Sequence, residues 1–148
     1  MADLAAIADR LDIEELLSRY AWALDSKEFD RLDEVFTPDA HLDYESSGGV
    51  AGAYPEVKAW LAGILPHFPA YQHYVTNKLV TIDGDRAESR SALYNPMVMK
   101  RPDGSRGIFF VGAEYHDQLV RTPSGWRIRD RVEHSIWTDG EFPAAPPG

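Results

Sequence analysis

Apolar residues near the start of the chain recur at helical spacing. Ile13, Leu16, Leu17, Tyr20 and Leu24 fall at i, i+3, i+4, i+7 and i+11, a single stripe on a helix predicted over 3–25. A shorter helix is expected over 28–36, carrying Phe29, Leu32, Val35 and Phe36. Pro38 is expected to end it, because proline disfavours helix in the residue before it. His41-Leu42-Asp43-Tyr44 alternates like a short strand, and Ser46-Ser47-Gly48-Gly49 reads as a loop. Residues 54–65 return to helical spacing. Pro55 lies in the first turn, where its missing N–H is no loss, and Val57, Trp60, Leu61, Ile64 and Leu65 share one side.

From about residue 70 the period changes from helix to strand. Strands are predicted over 71–82, 86–99, 107–121 and 125–137. Asp83-Gly84-Asp85, Arg101-Pro102-Asp103-Gly104 and Thr122-Pro123-Ser124-Gly125 are the turns between them. Long strands joined by short turns make an antiparallel meander. Helices first and strands second imply an α+β fold, with the N-terminal helices laid on one face of a curved antiparallel sheet. Such a sheet leaves a cone-shaped cavity, the kind of concave, mostly apolar place that small-molecule sites favour. Residues 1–138 are expected to form one domain, and the Pro-rich stretch 139–148 an arm.

Composition narrows the classes of function. A chain of 148 residues fits one domain with a sizeable core, for which 4 Trp, 7 Tyr and 6 Phe supply material. Without cysteine there is no disulfide, thiolate nucleophile or Cys-ligated metal. The net charge of −9 repels phosphate backbones, so no nucleic-acid partner is expected. No apolar run approaches the roughly 20 residues of a membrane span, and the first residues lack a basic, then apolar, leader. A cytoplasmic protein without a membrane partner is the expectation.

The five histidines, His41, His67, His73, His116 and His134, show no strong metal-ligand spacing. No GxSxG elbow and no strand–Gly-rich-loop–helix unit is present. No metal and no cofactor is therefore expected, and general acid–base chemistry is what remains. Asp25 ends the first helix, where the macrodipole opposes an acid, so its presence asks for a reason. One reason is a turn cap at Asp25-Ser26; another is a partner elsewhere in the fold. His73, in Tyr71-Gln72-His73-Tyr74-Val75, reads either as a packed histidine satisfied by a carbonyl or as an acid–base group. In 126–137, alternation places Trp126, Ile128, Val132 and Ile136 on one face. Arg127, Arg129, Arg131 and Glu133 fall on the other, which by itself reads as solvated.

The segment from Tyr20 to Leu32, Tyr20-Ala21-Trp22-Ala23-Leu24-Asp25-Ser26-Lys27-Glu28-Phe29-Asp30-Arg31-Leu32, resembles the first-helix region of scytalone dehydratases. Tyr20 followed by Asp25 also resembles bile-acid 7α-dehydratases. Tyr71-Gln72-His73-Tyr74-Val75-Thr76-Asn77 resembles the segment holding the catalytic histidine in those enzymes and in γ-hexachlorocyclohexane dehydrochlorinases. Gly125-Trp126-Arg127-Ile128 is similar to their last-strand opening. These stretches mark a resemblance, over about residues 5–138, to the SnoaL-like branch of the nuclear-transport-factor-2-like superfamily.

The resemblance implies a catalytic Asp25–His73 dyad in a cofactor-independent lyase. A histidine base takes a proton from carbon, and its aspartate fixes the tautomer and stabilises the imidazolium. Tyr20 and Arg131 are implied as aids to the leaving group. Tyr44 matches a water-holding tyrosine, and Trp22, Leu61, Ile64, Phe68, Leu93, Val111 and Tyr115 are the expected cavity lining. Each of these has a plain structural reading as core. As a set they point to a small hydrophobic substrate, cyclic in shape. Met97 and Tyr115 stand where scytalone dehydratases hold proton-transfer and amide groups, and Tyr20 replaces the dehydrochlorinase lysine, which argues for related chemistry on another molecule. An isomerase or polyketide cyclase in the same pocket, or a non-catalytic binding or scaffold protein, are the alternatives. A homo-oligomer is expected, a trimer before a dimer.

Overall fold

A computed structural model describes residues 3–143. Helix α1 (Leu4–Asp25) opens on Asp3, whose carboxylate accepts the Ala5 N–H at 3.0 Å. It buries Ile13, Leu16, Leu17, Tyr20 and Leu24, the stripe read from the sequence, with Ala21 and Ala23 beside them. Its C-terminus closes with Lys27 in the left-handed region: Glu28 N–H bonds the Ala23 carbonyl and Lys27 N–H the Leu24 carbonyl. The cap is thus made by backbone, and the Asp25 side chain is free for another partner.

The expected helix over 28–36 is only a 3₁₀ stretch, Phe29–Glu34. Strand β1 (Phe36–Asp43) begins at once, five residues earlier than read, with Pro38 inside it. Phe36 aligns with Ile128 and His41 with Asp130, so three surplus residues around Pro38 bulge out of the ladder. Proline has no N–H to donate, and a bulge is where a strand tolerates it. Strand β2 (Ala51–Ala53), helix α2 (Tyr54–Ile64) and a 3₁₀ turn at Leu65–His67 follow.

The strand expected over 71–82 is two pieces, β3 (Ala70–Tyr71) and β4 (Tyr74–Asp83). Strands β5 (Arg86–Lys100), β6 (Arg106–Thr122) and β7 (Gly125–Gly140) complete one sheet. Its order is β2-β1-β7-β6-β5, with β3 and β4 both on the far side of β5. The meander β4-β5-β6-β7 is antiparallel as expected, but β1 lies parallel to β7, so the sheet is mixed rather than wholly antiparallel. Helix α1 packs on both β4 and β7, which lie three places apart, and the unclosed sheet therefore curves around it.

Strands β5 and β6 alternate cleanly. Ala87, Ser89, Ser91, Leu93, Asn95, Met97 and Met99 face inward from β5, and Phe109, Val111, Ala113, Tyr115, Asp117 and Leu119 from β6. Strand β7 does not alternate throughout. Leu119 aligns with Ile128 but Gln118 with Asp130, leaving Arg129 as an extra residue. That bulge reverses the parity: Trp126 and Ile128 point inward before it, Arg131 and Glu133 after it. The second set was read as solvated, and it is buried instead. Ile136, read as inward, is exposed.

The expected arm over 139–148 begins later than read, since β7 continues to Gly140. A side chain at Gly140 would lie 2.4 Å from the Ile108 carbonyl oxygen, and its φ of +90° is open to glycine. Beyond it, Phe142 turns back onto Phe109, with ring centroids 4.7 Å apart. The remainder of the arm, 144–148, lies outside the described residues.

Candidate active site

Between α1, α2 and the inner sheet face lies an apolar cavity of about 390 Å³. Leu61, Ile64 and Phe68 come from α2 and the turn after it, Leu93 from β5, Val111 and Tyr115 from β6, and Tyr44 from the end of β1. All seven were expected to line it, as was Tyr20. Leu24, Trp60, Leu65, Met97 and Phe109 add further apolar wall. The Ser47-Gly48-Gly49 loop and Phe142-Pro143 complete it. A side chain at Gly49 would lie 2.9 Å from Tyr44 Cβ and 3.0 Å from the Trp60 ring, so the loop closes down on the cavity only with glycine there. A wider groove, about 710 Å³, runs between the start of α1 and β4, and lacks any acid–base pair.

His73 reaches the cavity wall because the sheet breaks beneath it. Between β3 and β4 the strand breaks at Gln72 and His73, where the Gln72 N–H keeps a bond of 3.2 Å to the Pro96 carbonyl and the His73 N–H does not bond the sheet. The Asn95 side-chain amide donates to the Gln72 carbonyl at 2.7 Å and holds the break open. The freed His73 N–H donates to both Asp25 carboxylate oxygens, at 3.1 and 3.0 Å. The ring then places Nδ1 2.7 Å from Asp25 Oδ1. The partner that the acid at the end of α1 called for is therefore His73. Both side chains are largely buried, 7% and 17% exposed. With Nδ1 taken by the carboxylate, Nε2 is the nitrogen left for a ligand. Tyr71 braces the pair: its hydroxyl donates to the Leu24 carbonyl at 2.7 Å, and burial, helped by the Asp25 charge, pushes its pKa up to about 12.

Three phenols meet on another part of the wall. Tyr20 Oη lies 2.9 Å from Tyr44 Oη and 3.5 Å from Tyr115 Oη. Burial raises the pKa of all three well above the usual phenol value, so they stay protonated donors. Beneath them lies Arg131, with no exposed surface and no place on the cavity wall. Its Nε and Nη2 donate to the two Asp117 carboxylate oxygens at 2.7 and 2.8 Å. The guanidinium lies 4.2 Å from the Tyr20 ring centroid and 3.9 Å from that of Tyr115. An arginine expected beside the leaving group is thus a buried support for the tyrosines. Trp22 also departs from the expectation. It is 70% exposed, off the stripe formed by Ile13, Leu17, Tyr20 and Leu24, and borders instead a separate groove of about 410 Å³ that it shares with Asp25, Tyr71 and His73.

Glu133 is the polar group that the sequence reading missed. The β7 bulge brings it to the cavity wall beside Tyr115, only 6% exposed. Burial raises its pKa, opposed in part by the Ser47 hydroxyl, then by the charges of Arg131 and His73 and the Tyr115 hydroxyl. Asp117 and Asn95 were missed likewise. The clean alternation of β5 and β6 marks both as inward-facing polar residues, which was a usable signal. Among the described residues, no cluster of three or more His, Asp or Glu side chains is placed to hold a metal ion. No helix among them is long and apolar enough to cross a membrane.

A mixed sheet wrapped on helices, with a hydrogen-bonded Asp–His pair at an apolar cavity, defines an α+β fold of the NTF2-like kind. The chain belongs to the SnoaL-like domain family, whose profile matches residues 5–132. An uncharacterised protein of Mycobacterium tuberculosis is 49% identical over 134 residues, covering 90% of this chain and 89% of that one. A crystal structure from Kribbella flavida superposes with a TM-score of 0.82 at 30% identity, over 90% of this chain and 95% of the other. The fold is also shared with a type 2 hexachlorocyclohexane dehydrochlorinase (TM-score 0.81, 22% identity, 99% of each chain). A scytalone dehydratase candidate of Novosphingobium aromaticivorans shares it too, with a TM-score of 0.80 at 20% identity over 95% and 92% of the two chains.

Proposed function

We propose that the protein is a cofactor-independent lyase of the dehydratase type, acting on a small hydrophobic, cyclic substrate. The observation that carries this reading is the 2.7 Å contact of Asp25 with His73 Nδ1, on a ring that faces an apolar cavity. His73 Nε2 takes a proton from carbon, Asp25 holds the tautomer and offsets the imidazolium charge, and the neighbouring carbon loses its leaving group. A positioned base of this kind contributes a rate factor of about 10²–10⁴. Tyr20 and Tyr44 supply hydroxyl donors to the departing group. Arg131 acts as a positioning residue through the rings of Tyr20 and Tyr115.

The test is a panel of cyclic β-hydroxy ketones and alcohols, with products followed by mass. Loss of water, reduced about 100-fold or more in both His73→Ala and Asp25→Asn, is the expected result. Full turnover by His73→Ala refutes the base. A product of unchanged mass moves the assignment to an isomerase or cyclase. Binding without turnover, unaffected by either substitution, moves it to a ligand-binding protein.

The proposal extends to assembly. Tyr74, Tyr94 and Trp137 are each about half exposed on the outer sheet face, grouped with Phe110 around Tyr94. The Tyr94 ring lies 6.1 Å from Phe110, 6.0 Å from Tyr74 and 6.2 Å from Trp137. An aromatic patch of this kind suits contact with a second copy of the chain. Light scattering is expected to give a trimer, dissociated by Tyr94→Glu; a monomeric wild type refutes it. Cytoplasmic location is checked by cell fractionation.

A further inference from the structure

Elimination of hydroxide differs from elimination of halide in one respect: hydroxide needs a proton as it leaves. The cavity wall offers few sources. The phenols of Tyr20, Tyr44 and Tyr115 are held far from ionisation by burial. The Asn95 amide is committed to the Gln72 carbonyl. His73 is the base in the reading above. What remains is Glu133, which lines the same cavity as His73 and lies opposite Tyr115 in the β6–β7 ladder.

The surroundings of Glu133 favour the neutral acid. Its carboxyl makes no salt bridge with any described residue. The nearest cation on its strand, Arg131, is already neutralised by both oxygens of Asp117. The groups that oppose burial are the Ser47 hydroxyl, the charges of Arg131 and His73, and the Tyr115 hydroxyl, and burial outweighs them. The uptake of one proton by His73 and the release of another by Glu133 leave the net charge of the site unchanged.

We infer that Glu133 is the general acid that protonates a departing hydroxyl group, and that the substrate is therefore a hydroxylated molecule rather than a halogenated one. The inference rests on the elimination reading proposed above. The step balances within the site. The C–H proton goes to His73 Nε2, its electron pair forms the C=C bond, and the C–O bond breaks with its pair on oxygen. The Glu133 proton completes water. The imidazolium then returns its proton to the carboxylate, through water, and both groups are reset.

Two measurements test this. The first is the infrared carbonyl band of a protonated carboxylic acid at neutral pH. It is expected in the wild type and absent in Glu133→Gln; no such band in the wild type overturns the inference. The second compares 3-hydroxycyclohexanone, which must lose hydroxide, with 3-(4-nitrophenoxy)cyclohexanone, whose phenolate leaves unprotonated. Glu133→Gln is expected to lose about 100-fold or more in kcat on the first and under tenfold on the second. Glu133→Asp, which keeps an acid, is expected to fall between wild type and Glu133→Gln on the hydroxyl probe. Equal losses on both probes make Glu133 a structural residue and overturn the inference. Wild-type turnover of the nitrophenyl ether alone refutes the acid and leaves the elimination reading standing. Turnover of neither probe, with the band present, refutes the elimination reading and the acid with it.

Discussion

Arg131 and Asp117 give the sharpest quantitative expectation. Neither side chain has any exposed surface, and two charge-assisted hydrogen bonds of 2.7 and 2.8 Å join them. Asp117→Ala removes both bonds and leaves a guanidinium buried without its counter-charge. The rings of Tyr20 and Tyr115 remain over it, but aromatic faces return only about 2 kcal/mol even when desolvated. Nη1 already lacks a hydrogen-bond partner, so no spare contact compensates. Breaking one side of such a pair costs about 3–5 kcal/mol. For a domain of this size that lowers Tm by roughly 6–20 °C. Urea unfolding at fixed protein concentration, followed by tryptophan fluorescence, reads the difference. The double variant Asp117→Leu/Arg131→Met removes both charges and is expected to recover most of the loss. A single-variant loss below about 1 kcal/mol, or a double variant no better than Asp117→Ala, refutes the account of Arg131 as a neutralised buried support.

The remaining expectations concern acid, the cavity carboxyl and the break that presents His73. The Asp9 carboxyl, bonded by Arg121 and Trp126, is lowered to about 2, and Glu114, beside Arg90 and His116, also to about 2. Both folded values lie below the unfolded ones. Their contribution is therefore complete above about pH 4.5 and is lost as pH falls toward 2, which an acid titration by circular dichroism follows; Asp9→Asn is expected to flatten that limb. Glu133 has the opposite sign, since its folded pKa is raised. Ionising it costs stability as pH rises above the unfolded carboxylate value, so Glu133→Gln is expected to raise Tm at neutral pH, with the gain vanishing near pH 4. Asn95→Leu removes the bond to the Gln72 carbonyl. It is expected to cost about 0.5–1.5 kcal/mol in stability and to lower turnover more than Tm, because the His73 segment loses its anchor.

Much of the fold was legible because its period was regular. The α1 stripe from Ile13 to Leu24 and the alternation of β5 and β6 each repeat without interruption, and local burial agrees with them. The cavity residues Leu61, Ile64, Phe68, Leu93 and Val111 followed from the faces of their elements together with the family resemblance. The failures fall where the period breaks. Pro38 looks like a helix stop and is a bulge in β1. Arg129 is one surplus residue in β7, and it turned Arg131 and Glu133 from an apparent solvent face to the interior. Nothing local in a run of Arg, Asp and Glu announces such an inversion.

The sequence alone, then, determined the α+β class, the helix stripe, the antiparallel meander and, through resemblance, the pairing of Asp25 with His73. Those follow from short-range periodicity and from motifs that lie within a few residues. Tertiary structure decided what the polar residues do. The parallel seating of β1 on β7, the bulge at Arg129 and the gap at Gln72-His73 depend on strands distant in the chain coming together. Burial then sets the chemistry: once water is excluded, Arg131 must find Asp117 to keep its charge, while Glu133, with no ion-pair partner among the described residues, is pushed toward its neutral form.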